Sequence, residues 1–169
     1  MSGSEREDFA VPAAAGTYDG INLAWLDRSS EDDRRILIEA EHPELHRALL
    51  RDVDEVEAGG TTINPRLHIA LHEVVANQLW ADDPPEVWAT AQRLTAAGYD
   101  RHEVLHMLAS VSSDALYGAL RDRTPVDPER MRTALADLPA SWERERAATA
   151  DEHRPNRAER RAAARDPRH

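Results

Sequence analysis

Two stretches decide the fold: NPRLHIALHEVVANQLW at residues 64–80 and DRHEVLHMLASVSSDALYGAL at residues 100–120. Each opens on a capping residue (Asn64 followed by Pro65, and Asp100) and then carries apolar residues at helical spacing. Each also carries two histidines four positions apart, His68/His72 and His102/His106. On a helix, positions i and i+4 lie one turn apart on one face, so either pair can close on a single ion. Two such helices side by side would present four imidazoles.

Working outward, residues 81–99 read ADDPPEVWATAQRLTAAGY. Asp83 and Glu86 have capping-box spacing, Val87, Trp88, Ala91 and Leu94 form an apolar face, and Gly98 suits a C-cap. A single helix between the two histidine helices lets those two run parallel, with His68/His72 and His102/His106 at matching ends. The stripe expected to be buried in the first is Leu67, Leu71, Val74, Val75, Gln78 and Leu79. In the second it is Val104, Leu105, Leu108, Val111, Ala115 and Leu116. Upstream, Ser30 followed by Glu31, Asp32 and Asp33 predicts a helix start, and Ile36, Leu37 and Ala40 its face. Pro43 predicts a kink or restart there, and Gly59-Gly60 the end of that unit. The restart carries a third pair, His42/His46. Downstream, Asp127-Pro128 caps a last short helix with Met131, Leu135 and Leu138.

These elements predict one all-α domain over residues 18–139, an antiparallel bundle of four to five helices. Residues 1–17 are small, polar and proline-containing and are expected to be a disordered tail. Residues 140–169 are an Arg/Ala-rich charged tail with no face to bury. Tyr18–Leu26 holds enough apolar residues to dock without folding alone.

Composition narrows the chemistry. The chain has no cysteine, so disulfides and thiolate sites are excluded. Its basic residues are all arginine, which removes Schiff-base and P-loop lysine chemistry. The net charge is −11, and because residues 141–169 sum to +2, the remainder carries −13. So acidic a body repels phosphate backbones, which argues against nucleic-acid binding. Neither a signal peptide nor a membrane span is legible, so a cytoplasmic location is expected.

Six of the eight histidines fall in the three pairs, His42/His46, His68/His72 and His102/His106. One such pair is ordinarily structural; three in one small domain point to a metal. The expected cofactor is a transition-metal ion on these six residues, zinc or iron first, with copper or nickel also suited to imidazole ligands. The metal is the expected partner, joined by a small-molecule ligand if a coordination position stays open. Whether the protein is an enzyme is left undecided by the sequence. His102-Glu103-Val104-Leu105-His106 is also a literal zinc-peptidase H-E-x-x-H, but Asp100 caps the helix just before it and no third ligand follows at the usual spacing. Glu39-x-x-His42 and Glu103-x-x-His106 have the spacing of di-iron bundle ligands, with Glu73 and Asp114 available to complete a mixed oxidoreductase or hydrolase site. A metal-free interaction module is the remaining alternative.

The combination N-P-x-L-H-x-x-L-H (Asn64–His72), Gln78-Leu79, Pro-Pro-Glu-Val (84–87), D-R-H-E-x-x-H (Asp100–His106) and His42-Pro43-Glu44 resembles an uncharacterised bacterial family, domain of unknown function 1841. The resemblance covers about Ser30 to Leu120. It implies an α-helical fold and brings no activity or catalytic role.

Overall fold

The fold is given by a computed structural model that describes residues 3–58 and 61–152. Among the described residues the regular structure is helical, apart from two small hairpins. The elements in order are α1 (Gly3–Ala10), β1 (Thr17–Tyr18), β2 (Ile21–Asn22), a 3-10 turn (Leu23–Trp25), α2 (Glu31–Ala40), α3 (His46–Leu50), β3 (Val56–Ala58) and β4 (Thr61–Ile63). Then come α4 (Pro65–Ala81), α5 (Pro85–Ala96), α6 (Arg101–Asp122), α7 (Pro128–Asp137) and α8 (Ala140–Glu152). Each hairpin is antiparallel, β1 with β2 and β3 with β4. No helix among the described residues is long and apolar enough to cross a membrane.

Most helix starts follow from their caps. The side chains of Ser30, Asn64, Asp100 and Asp127 accept backbone N–H bonds from the first turns of α2, α4, α6 and α7. Gly98 takes φ +100° just past α5, a conformation that favours glycine. The Asp83/Glu86 capping box does not form. Two consecutive prolines push the start of α5 to Pro85, leaving Pro84 at the N-cap without a side-chain bond. Glu86 pairs instead with Arg132 at 2.9 Å.

Helix α4 is central and packs against α1, α2, α5 and α6. It therefore buries a face set by its neighbours: Pro65, Ile69, His72, Val75, Ala76 and Leu79. Leu67 and Val74, expected in the stripe, face solvent, as does Leu116 on α6. The side chain of Ser112 donates to Gln78 Oε1 at 3.2 Å across a separation of 34 residues. His68 with His102 and His72 with His106 have that same separation, so α4 and α6 run parallel in one register. The last two turns of α6 reach beyond the end of α4.

The helices outnumber the four to five expected, because segments at both ends join the domain. Gly3–Ala10, expected in a disordered tail, is a helix whose end buries Ala10 and Val11 in the core. Arg6 holds it by donating to the Leu79 and Trp80 carbonyls at 2.5 and 3.2 Å, at the end of α4, where positive charge is favoured. At the other end, α8 belongs to the stretch expected to be a tail without a buried face. Trp142 packs on the core, and Arg146 donates to Glu103 at 2.9 Å. Gly59-Gly60 and the rest of the arginine-rich tail, including His153 and His169, lie outside the described residues.

One buried cation fastens α2 to α4. Arg34, only 4% exposed, donates to Asn77 Oδ1 and to the Arg28 and Ser29 carbonyls at 2.8–3.1 Å, and its guanidinium lies 5.0 Å from the Trp80 ring. Its donors are matched by acceptors, as a buried charge requires.

Candidate metal centre

Five imidazoles meet where the end of α2 crosses the first turns of α4 and α6. His42, His68, His106 and His102 form a ring, successive centroids lying 4.9, 5.1, 4.4 and 5.1 Å apart. His72 sits against all four, at 4.5, 4.8, 5.0 and 5.3 Å from His42, His68, His106 and His102. Ligand atoms of His42, His72, His102 and His106 all lie within 4.8 Å of one another, a grouping able to hold a metal ion.

The buried members are chemically incomplete. His42 and His72 are 1% and 3% exposed, yet their Nε2 atoms, and that of His106, are buried without a hydrogen-bond partner. Native proteins rarely tolerate this, because each unpaired buried polar atom costs about 1–3 kcal/mol. His42 Nδ1 lies 2.7 Å from the Ile38 carbonyl oxygen. A carbonyl only accepts, so Nδ1 carries the proton and Nε2 presents its lone pair to the cluster. That is the arrangement in which a protein orients a metal-ligating imidazole.

Electrostatics keeps the lone pairs free. Burial, reinforced by neighbouring imidazoles, holds His68 and His106 down to about 4 and His72 to about 2, and lowers His102 as well. These four are neutral at pH 7, the state in which imidazole binds a metal. Beside them, Arg101 donates to Glu41 at 2.7 Å and to the Phe9 and Ala10 carbonyls at 2.6 and 2.9 Å. Glu41 adjoins His42 and Arg101 adjoins His102, so this one cation ties together the helix ends that deliver both rings.

His46 is not in the cluster. The i,i+4 rule holds only along a continuous helix; α2 stops at Ala40 and a turn through Pro43 precedes α3. His42 turns inward, whereas His46 Nδ1 lies 2.9 Å from Tyr18 Oη and its Nε2 3.3 Å from Asp19. The glutamates of the two Glu-x-x-His motifs are engaged elsewhere, Glu39 with Arg35 at 3.1 Å and with Tyr18 at 3.4 Å, and Glu103 with Arg146. Glu73 faces Arg35 at 3.7 Å.

The cluster opens on a cleft of about 590 Å³ lined by His68, His72, His102 and His106 together with Ala109, Ser110, Ser113 and Asp114 of α6. Glu44, Ile63, Leu71, Trp142 and Glu145 complete it. Trp142 and Glu145 were not anticipated as site residues. A lone tryptophan in an otherwise Arg/Ala/Glu stretch was the available signal.

The family model described as Domain of unknown function (DUF1841) matches residues 29–137. The match covers every histidine of the cluster, and the chain belongs to this family. No curated protein and no solved structure matches the chain.

Proposed function

We propose that this member of the DUF1841 family holds one transition-metal ion on His42, His72, His102 and His106, with His68 as a fifth imidazole on the cleft side. The carrying observation is the set of three buried Nε2 atoms, on His42, His72 and His106, that have no partner in the protein. A metal would satisfy them together; a metal-free interaction module would leave them as uncompensated cost. Neutral imidazoles without thiolates suit zinc or iron first, and copper or nickel next. The di-iron and peptidase readings lose support because Glu39 and Glu103 spend their carboxylates on other partners.

The site is read as one that takes a small molecule at the metal, because a purely structural site closes its coordination with protein ligands and needs no cleft. Elemental analysis of the chain purified without a histidine tag tests the metal. About one equivalent per chain is expected, falling to near zero in His72→Ala and in His106→Ala. Unchanged metal content in both variants would overturn the proposal.

A further inference from the structure

Helix α8 has a firm root and a loose arm. Residues 140–148 read ASWERERAA, a stretch of good helix formers with a single large apolar residue. From Glu143 to Ala148 every residue is exposed, so beyond its first turn the helix buries no face. The root is fixed. Leu138 is 2% exposed, and Arg93 donates to the Leu135 and Leu138 carbonyls at 2.9 and 2.6 Å. Past Pro139, Trp142 alone among the described residues of α8 packs on the core.

Two polar contacts hold the arm against the start of α6. Arg146 donates to Glu103 at 2.9 Å, and the Tyr99 hydroxyl donates to Glu143 at 2.5 Å. Arg146 is 65% exposed; pairs so exposed contribute little and are screened by salt. The Trp142 contact is itself compromised. Its Nε1–H is buried with no acceptor, a cost that is relieved when the indole reaches water. Yet Trp142 and Glu145 line the cleft together with Ala109, Ser110 and Ser113 of α6. A weakly held helix therefore forms part of the wall around the histidines.

We propose that α8 is a flap on the cleft, pivoting about Leu138-Pro139 and latched by Arg146–Glu103 and Glu143–Tyr99, whose opening sets how fast the histidine cluster is reached. The flap stands on its packing alone, while its role as a gate to a metal rests on the metal reading. Segments that open are drawn from the weakly packed end of a structure. A gate speeds entry and exit alike, so it changes rates and leaves affinity where it was.

The chain has no cysteine, so one introduced at Ala109, 6% exposed in the cleft wall, reports opening through thiol labelling. In the full chain with chelator, Ala109→Cys should react with iodoacetamide at least about tenfold more slowly than in the urea-unfolded chain. Adding Glu143→Ala and Arg146→Ala, both exposed sites, should speed labelling about three- to tenfold. Raising sodium chloride from about 0.02 to about 0.5 M should speed the parent and leave the double variant nearly unchanged. The rates should stay flat in dilute urea, as local opening does; rates that climb as global unfolding does would overturn the proposal. So would labelling indifferent to both the double variant and salt, which would make α8 a fixed wall. On the zinc-loaded chain with Ala109 restored, Glu143→Ala/Arg146→Ala should speed zinc removal by a chelator by the same factor at unchanged Kd. Zinc leaving at an unchanged rate would overturn the gating role. Failure of zinc to bind, with the labelling response intact, would sink the metal reading and leave the flap standing.

Discussion

Replacing His72 with leucine separates a metal ligand from a structural histidine, because the two roles predict opposite signs. His72 lies 3% exposed against four other imidazoles with Nε2 unpaired. In the metal-free chain that atom is a net cost. An apolar residue of similar size removes about 1–3 kcal/mol of unsatisfied polarity, and imperfect repacking returns part of it. The expected net gain is about 1–2 kcal/mol, or roughly 2–8 °C in Tm for a chain of this size. Zinc at about 1,000 times its Kd should stabilise the wild type by about 4 kcal/mol, roughly 8–16 °C. His72→Leu should show almost none of this shift. Differential scanning calorimetry of both proteins, with chelator and with zinc, gives the four melting temperatures. A His72→Leu chain that melts below the wild type in chelator, or keeps the full zinc shift, would refute the reasoning.

Acid should destabilise the metal-free chain. Burial lowers His68 and His106 to about 4 and His72 to about 2, so between pH 6.5 and those values the unfolded chain binds protons that the native state refuses. Stability is therefore full above about pH 6.5 and falls from there to about pH 4, below which only His72 continues the loss; urea midpoints from pH 8 to pH 4 that stayed level would contradict this. Arg101→Met should weaken zinc binding about tenfold, because Glu41 and the α1 carbonyls lose the group that aligns His42 with His102; competition with a fluorescent chelator reads it. His46→Ala should keep the zinc content of the wild type, whereas His42→Ala should lose it, a contrast that elemental analysis resolves. Glu103→Gln should retain zinc and cost less than about 1 kcal/mol by urea denaturation, since its partner Arg146 is well exposed; peptide hydrolysis abolished in this variant would reinstate the peptidase reading.

What the sequence by itself determined is what short-range chemistry controls. Ser30, Asn64, Asp100 and Asp127 announce helix starts because a cap needs only a side-chain oxygen and the next three N–H groups. His68/His72 and His102/His106 share faces because each pair lies within one unbroken helix. A single helix between α4 and α6 was enough to place both pairs at matching ends, so four of the five clustered imidazoles could be brought together from sequence; His42 was a candidate ligand whose position the spacing did not fix. The tertiary structure alone decided the rest. It separated His42 from His46, because the path after Pro43 depends on how the turn packs against α4 and not on a spacing. It left Leu67 and Val74 in solvent and turned His72 into the core, because burial on α4 is set by the helices that surround it. It brought Arg101 to Glu41, and Trp142 and Glu145 to the wall of the cleft, across separations at which no local pattern exists. Whether a weakly apolar segment such as α1 or α8 folds depends on a surface that only the assembled domain provides.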